Sequence, residues 1–173
     1  GLNLRLDSFA LYGNLRHADG SLVDNEEIGA LITRFFEERV EACPPLPGAV
    51  EALADLTRIA EVVVLTNVPD AQRARRERAF AALGMPYPVI ANEGLKGPAV
   101  RSLVAGRHRA VVFVDDVPQH HESVFHHAPH VHRLHMVGDP MLRPLLDDAV
   151  HAHQRIDSWD EALPLVRARL LAQ

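Results

Sequence analysis

Val111-Val112-Phe113-Val114-Asp115-Asp116 is an apolar run that stops abruptly at two carboxylates. An apolar run without polar alternation reads as a parallel strand buried on both faces. Two adjacent acids at its end repel each other unless a cation lies nearby. In open parallel sheets, ligands gather beyond the carboxyl ends of the strands. Asp115 and Asp116 are therefore candidate site residues, and oxygen ligands of this kind suit Mg²⁺. The plainer alternative is that they cap a helix opening at Pro118.

The pattern on either side repeats this strand. Residues 61–66 form a second apolar run, ending in Thr66-Asn67. A hydroxyl, an amide and the free N–H groups of a following helix are suited to a phosphoryl oxygen, although the same residues could simply begin a turn. Asp70 is placed to cap a helix through Leu83, with Gly84 as its C-terminal stop. A short strand is expected over 88–91 and a helix over 97–106, with Pro98 in its first turn. After the acid pair, a helix is expected over 118–128, a strand over 131–137 and a short helix over 140–148. Ser158 and Glu161 make a capping box for a last helix, 159–172. Strands and helices that alternate in this way predict an α/β fold, a doubly wound parallel sheet with helices on both faces.

Residues 1–46 have a different texture. Leu2, Leu4 and Leu6 alternate, and turn signals stand at Tyr12-Gly13-Asn14 and Asp19-Gly20, which reads as an irregular hairpin. Asp24 and Glu27 form a capping box before a helix whose apolar residues are Ile28, Leu31, Ile32, Phe35, Phe36 and Val40. Cys43-Pro44-Pro45-Leu46-Pro47-Gly48 ends it as a stiff connector. The expected organisation is a small unit over 1–46 and an α/β core over 47–173.

Composition narrows the classes. With 47% apolar and 24% charged residues in 173, the chain is of globular type. A net charge of -5 with no basic run disfavours nucleic acid as a partner. No apolar stretch is long enough to span a bilayer. A single Cys43 excludes an internal disulfide and fits a reducing, cytoplasmic setting. Of the 18 basic residues, 17 are arginine and only Lys96 is lysine. Lys96 lies in Asn92-Glu93-Gly94-Leu95-Lys96-Gly97-Pro98, at a predicted helix start, where the helix dipole disfavours a cation. A compact ammonium there makes electrostatic sense when it shares an anion with the helix N-terminus.

Thr66, Lys96 and Asp115-Asp116 thus make a set of hydroxyl, ammonium and paired acids suited to phosphoryl transfer. Their order resembles the haloacid dehalogenase-like (HAD) superfamily of hydrolases. Thr66 matches the second motif of that family, Lys96 the third and Asp115-Asp116 the fourth. Pro47-Gly48-Ala49-Val50 with Leu53 is similar to the helix before the second motif, so the resemblance covers residues 47–137. It implies a three-layer α/β/α Rossmannoid fold and a Mg²⁺-dependent phosphatase acting on a small phosphorylated metabolite. Thr66, Lys96 and Asp115 would be catalytic, Thr66, Asn67 and Lys96 would bind substrate, and Asp115 and Asp116 would hold the metal.

The chain departs from the family at the first motif, an apolar strand ending in Asp-x-Asp that supplies the nucleophile of an aspartyl-phosphate intermediate. Asp7-Ser8-Phe9 lacks the second acid. In His17-Ala18-Asp19-Gly20, the histidine stands where the nucleophile belongs. The expectation is that the chain begins after this motif, lacks the central first strand and is inactive alone. In the intact protein, residues 1–46 would then be a small cap insert.

Seven of the 11 histidines fall in 120–135: His120, His121, His126, His127, His130, His132 and His135. Of these, only His126 and His130 have helical ligand spacing, and the group is expected to be mainly exposed or half-buried. The rival reading is a catalytically degenerate relative, a binding or scaffold module that takes metal through this segment.

Overall fold

A computed structural model describes residues 1–5 and 8–172. Leu6 of the expected hairpin and Asp7 of the candidate first motif lie outside them. The described residues form an α/β protein with six α-helices and two small parallel sheets beside an N-terminal hairpin.

The hairpin pairs β1 (Leu2–Leu4) antiparallel to β2 (Leu15–His17). Helix α1 (Asn25–Arg39) follows, and Asp24 caps it by accepting the Glu27 N–H at 2.8 Å. Ile28 and Val40 are buried, but Phe35 on the same predicted apolar face is exposed. Arginines from the core hold the end of this unit. Arg75 donates to the Glu37 carbonyl and Glu41 carboxylate, and Arg76 donates to the Val40 carbonyl.

In the core, α2 (Ala49–Leu56) leads to β3 (Val64–Thr66), α3 (Asp70–Ala82) and β4 (Val89–Ala91). Next come α4 (Gly97–Val104), β5 (Val112–Asp115), α5 (Pro118–His127), β6 (His132–Met136), β7 (Gln154–Ile156) and α6 (Trp159–Leu171). Asp70 does not cap α3. It is the first helical residue, after Pro69, and its side chain makes no cap hydrogen bond. The helix expected over 140–148 is reduced to a single 3-10 turn, Arg143–Leu145. Strand β7 carries little signal in the sequence, because Gln154-Arg155-Ile156 offers only one apolar residue.

The continuous parallel sheet expected from the sequence is divided. β3 pairs with β4, and β5, β6 and β7 pair in that order, all parallel. No ladder joins β3 to β5 among the described residues. Both strands therefore keep one open edge. This explains why their apolar residues are half-buried and not enclosed as the runs predict.

Packing nonetheless unites the two sheets. Val112 and Val114 point to one face, where Leu134, Met136 and Ile156 meet Leu56 of α2 and Ala162 and Val166 of α6, with Val62 before β3 alongside. Val111 and Phe113 point to the other, where Val100 and Val104 of α4 meet Val124 and Ala128 of α5, joined by Leu65 of β3. Side chains that alternate along β5 thus bury against helices on both sides.

Candidate functional site

The carboxyl ends of β3, β4 and β5 are tied together by side chains. Beyond β3, the Asn67 amide donates to the Gly94 carbonyl at 3.0 Å and accepts from the Asn92 amide at 2.7 Å. Asn92 N–H donates to the Thr66 carbonyl at 2.9 Å. The 92–96 loop so fixed delivers Lys96, whose Nζ lies 2.7 Å from Asp115 Oδ2. Thr66, Asn67, Lys96 and Asp115 are thus one connected group.

Asn67 spends its amide on the neighbouring loop, so in this arrangement it positions the lysine segment. The Thr66 hydroxyl makes no hydrogen bond among the described residues. Lys96 is the N-cap residue of α4, as its sequence context indicated. The anion that compensates its unfavourable place at the helix start is the carboxylate of Asp115 within the chain. The pair is well shielded, with side-chain exposures of 13% for Lys96 and 5% for Asp115. A glycine makes this approach possible. A Cβ at Gly97 would stand 2.3 Å from the Ser123 carbonyl oxygen, and Gly97 N–H donates to Ser123 Oγ at 3.1 Å. Helix α4 therefore starts directly against α5.

The two acids have different surroundings. Asp115 also accepts the Val117 N–H through Oδ1 at 2.9 Å, so the capping alternative is realised for it alongside the ion pair. Asp116 forms no side-chain ion pair among the described residues. It keeps much of its surface open to solvent. Even so, desolvation by the surrounding protein, followed by the charge of Asp115, raises its carboxyl above the usual range, with Lys96 and His120 opposing.

Histidines that the sequence placed near the surface form the floor of this site. His120, His121 and His135 are buried, at 8%, 0% and 0% exposure. His121 Nε2 lies 3.0 Å from the Asp115 carbonyl oxygen, and His135 Nε2 lies 3.0 Å from that of Asp116. Phe113, His121 and His135 stack edge to face, with centroids 5.4 Å apart at each step. Burial lowers the pKa of His120 and pushes that of His121 down to about 4. Their role was hard to read from sequence. The clue available was that His120 and His121 lie one helical turn before Val124, an apolar residue of the expected helix.

The pair with helical spacing, His126 and His130, is not what the structure groups. Glu122, His126 and His151 come together instead, their ligand atoms all within 4.8 Å of one another. His132 stacks on His153 at 4.3 Å between centroids. No protein-family model, no curated protein and no solved structure matches this chain.

Proposed function

We propose that this chain is the catalytic-core portion of a Mg²⁺-dependent hydrolase of the haloacid dehalogenase-like type, acting on a small phosphorylated metabolite. The observation that carries the reading is the shielded Lys96–Asp115 pair with Asp116 open beside it, at the carboxyl end of parallel strands. Two carboxylates against one ammonium leave a local excess of negative charge. The two carboxylates, an oxygen donor pair with this charge, fit Mg²⁺ better than a softer ion. Asp116 and Asp115 are the residues that would hold it, and when bound it supplies neutralisation of charge on a phosphoryl group.

The remaining roles belong to the chain itself. Lys96, fixed by Asp115, presents an ammonium to an incoming phosphoryl oxygen. The Thr66 hydroxyl is available to donate to a second oxygen. Asn67 sets the loop that delivers Lys96. The nucleophile of an aspartyl-phosphate mechanism belongs on a strand between β3 and β5. That placement is supported by their open edges and by the apolar clusters they share without sharing a ladder.

The test is binding, because it does not require the nucleophile. In titration calorimetry, orthovanadate or inorganic phosphate should bind this chain only with Mg²⁺ present, and Asp116→Asn should abolish that binding. Anion binding by the parent without Mg²⁺, or parent-like Mg²⁺-dependent binding by Asp116→Asn, would remove the assignment. The second reading, a noncatalytic binding relative, is favoured by the engagement of both Asp115 oxygens within the chain. It expects no Mg²⁺-dependent anion binding.

A further inference from the structure

We propose that Glu122, His126 and His151 form a separate transition-metal site, chemically suited to Zn²⁺, between α5 and the loop before β7. Glu122 and His126 are four residues apart on α5 and so share one face of the helix. His151 reaches the same point from residues 149–152, and the three ligand atoms lie within 4.8 Å of one another. Zn–N and Zn–O bonds of about 2.0–2.2 Å set tetrahedral ligand atoms roughly 3.3 Å apart. Glu122 and His126 are exposed and His151 is half-buried, so small rotamer adjustments of the two helix side chains reach that spacing.

The polar atoms are available. The Glu122 carboxylate and both imidazole rings have no hydrogen bond or ion pair among the described residues. The rings pack on carbon instead, with Phe125 5.2 Å from His126 and 4.9 Å from His151 between centroids.

The platform is preorganised. Buried Arg133 donates from Nε to the His151 carbonyl at 2.6 Å. Ala152 N–H donates to the Ala149 carbonyl at 2.8 Å, and Ala149 N–H donates to His135 Nδ1 at 3.2 Å. His151 therefore does not have to be recruited from a loose loop, which lowers the ordering cost of binding.

Two imidazoles and one carboxylate favour Zn²⁺, Ni²⁺ or Cu²⁺ over Mg²⁺. Three protein ligands also leave a fourth position for water. A cleft of about 300 Å³ adjoins the cluster, lined by Glu122 and His151 with Pro118, Gln119, Asp148 and Val150. Asp148 is already paired with Arg155 at 2.9 Å, so it does not complete the set. This site does not depend on the hydrolase reading, because it shares no ligand with Asp115 and Asp116.

Calorimetric titration of the chain with Zn²⁺ tests it. One equivalent should bind, excess Mg²⁺ should not displace it, and Co²⁺ in its place should give the visible absorption of a four-coordinate ion. His126→Ala and His151→Ala should each weaken Zn²⁺ binding on the order of 100-fold. His130→Ala, at the alternative helical spacing, should leave it unchanged. Zn²⁺ should raise the melting temperature of the parent chain but not that of His151→Ala, which separates lost binding from lost folding. Equal Zn²⁺ affinity in the parent and His151→Ala, or no stoichiometric binding by the parent, would overturn the proposal.

Discussion

His135 donates from Nε2 to the carbonyl oxygen of Asp116 at 3.0 Å. Its other nitrogen settles the tautomer. Nδ1 accepts the Ala149 N–H, so the proton resides on Nε2. His121 makes the same donation to the Asp115 carbonyl, since a carbonyl can only accept. Two buried, neutral imidazoles thus hold the backbone of the acid pair from below. The carboxylates stand on a backbone whose turn is fixed by hydrogen bonds from outside its own strand.

His135→Ala should expose the cost of losing that support. It removes the partners of the Ala149 N–H and the Asp116 carbonyl and opens a cavity beside His121. The expected destabilisation is about 2–4 kcal/mol in urea unfolding. A value indistinguishable from zero would mean that the acid turn holds itself.

Stability should depend on pH through His121. Its folded pKa is depressed to about 4, from an ordinary value near 6.5. Between those values the unfolded chain binds the extra proton and the folded chain does not. Stability is therefore complete above about pH 6.5, falls as pH drops through this window and levels off below about 4. The contribution at stake is on the order of 3 kcal/mol. Asp116 opposes this, because its raised carboxyl pKa lets the folded state take up a proton first as the carboxylate range is approached. Urea midpoints at pH 7.5 and 5.5 should differ in the stated direction. The imidazole resonances of His121 should not move between them, and a midpoint near 6.5 would contradict its burial.

Gly97→Ala should be costly because of what faces it and not because of its backbone angles. The added Cβ meets the Ser123 carbonyl oxygen at 2.3 Å, so α4 must retreat from α5. Overpacking of this kind costs about 1–3 kcal/mol. The shift would also draw Lys96 away from Asp115. Gly29→Ala is the control, since its Cβ meets nothing within 4 Å and it lies inside α1. That change should be neutral or stabilise by roughly 0.5–1 kcal/mol. Thermal melts of the two variants decide the matter, and similar effects would refute the packing explanation.

Apolar runs and capping residues were legible because they act locally. The runs ending at Thr66 and Asp115 located β3 and β5, and the capping boxes at Asp24 and Ser158 located α1 and α6. What joins distant segments left little trace. The Asn67–Asn92 and Lys96–Asp115 contacts span 25 and 19 residues, and no periodicity announces such a partner. The burial of the histidines leaves little trace in the sequence for a related reason. An imidazole on α5 is buried or exposed according to which strand lies beneath it, and His121 happens to lie over Phe113 and His135. Strand β7 escaped because it is held by its pairing with β6, and only Ile156 signals it.

The lone lysine permits a direct measurement of the ion pair. An exposed pair would contribute at most about 1 kcal/mol. Here both side chains are largely buried, so removing one partner strands a charge that has lost its solvent. Lys96→Met and Asp115→Asn should each destabilise by about 3 kcal/mol. The double variant should lose clearly less than their sum, because neither charge is then left alone. Lys96→Arg separates charge from shape. It keeps the cation, but a planar guanidinium has to occupy the shielded space that a compact ammonium fills. It should be less stable than the parent and, on the hydrolase reading, should bind orthovanadate more weakly in the presence of Mg²⁺. If Lys96→Arg matches the parent in both unfolding midpoint and vanadate affinity, the site needs only a positive charge, and the shape of the ammonium does not explain a lone lysine among 17 arginines.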